Sequence, residues 1–132
     1  MRITVDTNIL VRAAVRDDER QSRAAIKLLE EAEIIAVSLP CLCEFVWVLR
    51  RVYAFTARDI SAAIEALVEV TNVAVNRPAV DAGLAVLNAG GDFAAGVTAF
   101  EGRWLGGETF VSFDKKAVSL IETHGHRATL PG

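Results

Sequence analysis

Short apolar runs that barely alternate constrain this chain most. Ile3-Thr4-Val5, Ile34-Ile35-Ala36-Val37, Asn72-Val73-Ala74-Val75 and Thr109-Phe110-Val111-Ser112-Phe113 are β-branched or aromatic and nearly continuous. Strands buried on both faces of a parallel sheet look like this, because helices cover both faces. Arg127-Ala128-Thr129-Leu130 carries the same signature in diluted form.

Helical periodicity fills the intervals. Residues 22–32 place Ala25, Ile26, Leu28 and Leu29 on one stripe. Thr56-Ala57-Arg58-Asp59 reads as a capping box with Asp in place of Glu, followed at helical spacing by Ile60, Ala63, Ile64, Leu67 and Val68. Pro78 suits the first turn of a helix over 78–88, which Gly90-Gly91 ends. Asp92 then stands as the cap of a helix over 93–104. Strands alternating with helices imply parallel pairing. The expectation is an α/β fold, with a central parallel sheet of four or five strands flanked by helices. At 132 residues, 52% of them apolar, the chain has room for one core, so residues 1–132 read as a single domain.

Charge narrows the function. Lys plus Arg is 14 and Asp plus Glu is 17, a net charge of −3. That argues against nucleic acid held on a broad basic face, but not against nucleic acid held through metal ions. No apolar run approaches the roughly 18 to 20 residues of a membrane span. Asp6 interrupts the N-terminus where a signal peptide would be apolar, so a cytoplasmic protein with no membrane partner is expected. Cys41 and Cys43 are too close in sequence for an ordinary disulfide, and no second pair completes a zinc site. They read as small buried thiols.

The acids carry the chemistry. The first run ends in Asp6-Thr7-Asn8 and the fourth in Ser112-Phe113-Asp114. Sites in open α/β sheets form in the crevice beyond the carboxyl ends of the strands, so both acids are candidates for one crevice. Each also has a plainer role as the cap of the next helix. Glu44 lies in Cys43-Glu44-Phe45-Val46-Trp47-Val48-Leu49, where an acid is costly to bury unless its charge is compensated. It otherwise faces solvent or pairs with Arg50 or Arg51. Asp92 is a candidate acid and equally a simple cap. Carboxylates crowded together repel one another, and a hard divalent cation removes the conflict. Acid-only clusters without His or Cys point to metal-assisted phosphodiester cleavage.

In order and spacing, four segments resemble those of PIN-domain ribonucleases, and specifically the VapC toxins of toxin–antitoxin modules. They are Val5-Asp6-Thr7-Asn8-Ile9-Leu10, Pro40 through Leu49 with Glu44, Gly91-Asp92-Phe93-Ala94-Ala95, and Phe110-Val111-Ser112-Phe113-Asp114. The resemblance spans nearly the whole chain and implies a PIN-like three-layer domain. It implies that Asp6, Glu44 and Asp114 are metal-binding acids, with Asp92 as a helper or substitute acid. Asn8 becomes a polar neighbour, and Ser112 a hydrogen-bonding residue beside the last acid. The implied activity is Mg2+- or Mn2+-dependent endonucleolytic cleavage of RNA, blocked by a cognate antitoxin protein. One position departs. The family usually reads Asp-Phe-Ala-Asp, and the second Asp is here Ala95. A weakened nuclease that binds antitoxin or RNA without efficient cleavage is therefore the alternative.

Arg12, Lys115 and Lys116 are candidate phosphate contacts. Asp81 reads as helix surface, and His124-Gly125-His126 as a polar turn. The stretch Leu42 to Phe55 carries more aromatic and aliphatic residues than a one-sided helix needs. Either it is a deep central helix or part of it meets another chain, as a homodimer face or an antitoxin groove. A receiver-like signalling domain shares the length and the acids at strand ends. It requires an adjacent acidic pair after the first strand, where this chain has Asp6-Thr7-Asn8.

Overall fold

The computed structural model describes all residues, Met1–Gly132. The elements follow as β1 (Arg2–Thr4), α1 (Thr7–Ala14), α2 (Glu19–Glu31), β2 (Ile34–Ala36), α3 (Leu39–Arg51), α4 (Ala57–Val68) and β3 (Val73–Ala74). After them come α5 (Arg77–Asn88), α6 (Phe93–Trp104), β4 (Thr109–Val111), α7 (Lys115–Thr123) and β5 (Arg127–Thr129). The α/β alternation is as expected, and every strand pair is parallel. The five strands form two sheets, β1-β2-β3 and β4-β5, not one sheet of four or five. Apolar runs report burial, not partners, so sheet membership was not written in them. No helix is long and apolar enough to cross a membrane.

The chain resolves into two compact units, Met1–Asn76 and Arg77–Gly132. In the first, β2 is the middle strand and Ile35 is completely buried. The flanking strand β1 instead exposes Arg2 and Thr4, so burial on both faces belongs to the middle strand alone. One residue beyond each strand, Val5 and Val37 still donate to Ala36 O and Ala74 O, at 3.3 and 3.0 Å. The runs therefore read longer than the strands.

Helix α3 starts earlier than its apolar run predicts, because Ser38 caps it and Pro40 suits its first turn. Leu42, Phe45, Val46 and Leu49 form its buried stripe. Glu44, Trp47, Arg50 and Arg51 lie on the exposed side, so α3 is central on one face only. The capping reading of α4 holds, with Thr56 Oγ1 accepting from Asp59 N at 3.1 Å. Between α1 and α2, Arg12 donates to Gln21 Oε1 (2.6 Å), to Asp17 Oδ1 (3.0 Å) and to the Tyr53 hydroxyl (3.3 Å). Tyr53 in turn donates to Asp17 Oδ2 at 2.8 Å. That hydrogen bond, with the Arg12 charge beside it, holds the Asp17 carboxyl below the usual carboxylate range. A depressed carboxyl stabilises the fold above its unfolded pKa and loses that contribution as pH falls, so the clasp loosens only in acid.

In the second unit, α5 and α6 pack face to face through glycines. A Cβ at Gly83 would stand 2.5 Å from the Phe93 ring, and one at Gly96 would meet the Ala82 carbonyl and the Gly83 backbone. Phe93 fills that space and is completely buried. Val86, Ala99 and Ile121 extend the core, with Phe110, Leu120 and Ala128 against them. Helix α7, which apolar periodicity had not marked, begins at the Asp114 cap.

Candidate active site

Strands β1 and β2 run parallel in register, Thr4 opposite Ala36, and so deliver the chain to the same end of the sheet. Two residues past each strand comes a helix cap. Asp6 caps α1, its Oδ1 accepting from Thr7 N at 2.7 Å. Ser38 caps α3, its Oγ accepting from Cys41 N at 3.3 Å. The buried Thr7 hydroxyl donates to Cys41 Sγ at 3.8 Å and ties the two helix starts together. Glu44 follows Cys41 by about one turn of α3 and is exposed.

Cys41 reports on the acids around it. Burial pushes its thiol above the ordinary value, the Thr7 hydrogen bond opposes this, and the charges of Asp6 and Glu44 push it further up. Both carboxylates thus act on one sulfur at the carboxyl end of β1 and β2. Asn8 is exposed on the same first turn of α1. A prediction follows for Cys41 in a Cys43→Ser background. Its alkylation rate rises with pH as thiolate forms, and either Asp6→Asn or Glu44→Gln moves that profile to lower pH. A profile unmoved by both variants would mean that the acids do not share this locale.

Asp92 and Asp114 lie in the second unit. Asp92 caps α6 through Oδ1, which accepts from Ala94 N at 3.2 Å. Ala95 is half-buried in the same first turn. Asp114 caps α7, its Oδ1 accepting from Lys116 N and Ala117 N at 3.0 and 3.1 Å. Ser112 Oγ accepts from Asp114 N at 3.0 Å, the local bond its position implied. No hydrogen bond links Asp92 with Asp114, and no group of three or more His, Cys, Asp or Glu side chains is spaced to hold a metal ion. The plainer role, capping, is therefore real for Asp6, Asp92 and Asp114. It uses Oδ1 in each case and leaves Oδ2 without a hydrogen-bond partner. Capping and ligation do not compete for the same atom.

The supporting cations differ. Arg12 is engaged by Asp17, Gln21 and Tyr53. Lys115 and Lys116 are exposed and form no ion pair. Asp81 pairs with Arg77 at 3.3 Å on the surface of α5. Thr7, Ser38 and Cys41 escaped the sequence reading as site residues. The only signal was the spacing Ser38-x-x-Cys41, a cap placed before a buried thiol.

The sequence from residue 3 to residue 99 matches the PIN domain family, well over half of the chain. The chain belongs to the PIN domain family. No curated protein matches it. PIN domains are generally nuclease domains and typically use Mg2+ or Mn2+, so a receiver-like reading has no support. The donor type present in the first unit is compatible with such an ion. Mg2+ is commonly held by one or two carboxylates while keeping several waters. In the first unit of this PIN domain, Asp6 Oδ2 and the exposed Glu44 carboxylate supply hard oxygen donors of that kind.

Proposed function

We propose that this PIN domain is a Mg2+- or Mn2+-dependent endoribonuclease of the VapC toxin type, acting in the cytoplasm and neutralised by a cognate antitoxin protein. The observation that carries the reading is the Thr7–Cys41 contact, which brings the Asp6-capped start of α1 against the start of α3, the helix that carries Glu44, inside the family-matched part of the chain. Asp6 and Glu44 would hold the ion, with Asp114 and Asp92 as further acids of the same function. When bound, the ion activates water and offsets charge on the phosphate under attack. The chain's own contribution is orientation. Thr7 N fixes one oxygen of Asp6, Ser112 fixes the backbone of Asp114, and Lys115 and Lys116 offer charge to a phosphate. The exposed side of α3 with its C-cap, where Trp47 is 59% and Val52 62% accessible, is the proposed face for a homodimer or for the antitoxin.

The test is cleavage of a structured RNA by the purified chain with Mg2+ or Mn2+. Added chelator is expected to stop it, and chelator-independent cleavage would rule the mechanism out. A second reading, a weakened relative, rests on the half-buried Ala95 one turn from Asp92. It expects Ala95→Asp to raise turnover about 10- to 100-fold, the scale of gaining one supporting carboxylate. Equal turnover removes it.

A further inference from the structure

Every charged residue of one open cleft in the second unit lies beyond residue 99, where the family match ends. The cleft holds about 540 Å3 and is lined by Arg103, Glu108, His126 and Arg127, with glycines at 106, 107 and 125. Arg103 is half-buried and makes no ion pair. Its guanidinium carbon stands 5.7 Å from the centroid of the Phe100 ring. Trp104, 80% exposed, shares with Phe100 and Arg103 a shallower recess of about 200 Å3. Arg127 meets only Glu108, at 3.8 Å with both side chains largely exposed, a weak pair. The N–H groups of Gly106, Gly107 and Gly125 already donate to the carbonyls of Arg103, Gly102 and Glu122. Recognition in the cleft therefore falls to side chains.

We infer that Trp104, Arg103 and Arg127 form a track for single-stranded RNA, with the Trp104 indole stacking a base and the two guanidiniums taking flanking phosphates. A strand alternates flat bases with anionic phosphates, and this surface sets one exposed ring, Trp104, beside an arginine without an ion pair and another that is weakly paired. Stacking on an aromatic ring is tolerant of sequence, and Arg–phosphate contacts position a strand without reading it. The inference rests on the reading that the domain acts on RNA. It locates a hold on the strand that the acids do not provide.

The experiment uses the full chain in chelator, where no cleavage is expected, with a fluorescein-labelled oligouridylate read by anisotropy. Arg103→Ala and Trp104→Ala are each expected to weaken binding about tenfold or more, while Trp104→Phe keeps most of it. Each lost phosphate contact lowers the salt slope by roughly 0.7. In a Trp47→Phe background Trp104 is the sole tryptophan, and its emission should be quenched by the strand. Circular dichroism checks that the variants fold. Unchanged affinity in both alanine variants overturns the inference. So does a change of oligomeric state in Trp104→Ala with RNA affinity intact, which marks a protein interface instead. The two readings also fail separately. Binding through Trp104 without metal-dependent cleavage removes the nuclease and leaves the track. Cleavage undiminished in the Arg103→Ala, Trp104→Ala double variant removes the track and leaves the nuclease.

Discussion

Glu44→Gln is expected to lower metal-dependent RNA cleavage by about 100- to 10,000-fold while leaving the unfolding midpoint nearly unchanged. Losing a ligand removes part of the several kcal/mol that a bound ion contributes to the transition state, and each 1.4 kcal/mol is tenfold in rate. Stability should move by no more than about 0.5 kcal/mol, because Glu44 is exposed and makes no hydrogen bond or ion pair that the fold depends on. Asp6→Asn is the companion variant. Asn caps helices about as well as Asp, so the α1 cap survives while the charge is lost. Asp6→Ala would add roughly 1 kcal/mol of cap loss, which makes the amide the cleaner probe. Single-turnover cleavage and thermal unfolding, measured on the same preparations, separate the two effects. Cleavage within a few-fold of the parent in both variants would place the chemistry elsewhere.

Phe93→Ala should produce the largest stability loss, about 3 to 5 kcal/mol. The ring is completely buried and occupies the space that Gly83 leaves on α5. Truncation opens a cavity that the helices cannot close by moving together, because the Gly96 backbone already lies against Ala82 and Gly83. The converse change, Gly96→Ala, overpacks the same crossing and should destabilise by about 1 to 3 kcal/mol. Urea unfolding followed by circular dichroism measures both. A loss under about 1 kcal/mol for Phe93→Ala would mean that the α5–α6 crossing does not depend on this ring. Asp92 immediately precedes Phe93, so loosening the crossing also frees the cap that orients that carboxylate.

The order of elements was legible because periodicity is a local property. The helices over 57–68, 77–88 and 93–104 arise where capping residues and apolar spacing agree. Helix α7 was missed because Lys115-Lys116 dilute its apolar stripe and only the Asp114 cap announces it. The division into two sheets was not legible either, since strands of two or three residues carry no pairing information. Among the site residues, Asp6 and Asp114 follow from their places at strand ends. Glu44 was singled out because an acid inside an apolar run implied burial, yet it is exposed. It matters for a different reason, its proximity to Cys41. The Glu44–Cys41 proximity is a local three-residue spacing on α3, whereas the approach of Asp6 to Cys41 is a tertiary fact set by the β1–β2 register, which no sequence spacing encodes. Arg12 shows a second tertiary effect. Its charge suggested phosphate, but Asp17 in the adjoining loop and Tyr53, distant in sequence, engage it.

Asp6 and Glu44 are proposed to hold one divalent cation jointly. A crystal structure of the chain soaked in Mn2+, with the ion located by anomalous scattering, tests it most directly. The predicted result is a single peak about 2.0 to 2.2 Å from an oxygen of each carboxylate, octahedral hard-cation geometry with waters completing the shell. A peak bound to neither residue, or two carboxylates turned to different ions, would contradict it.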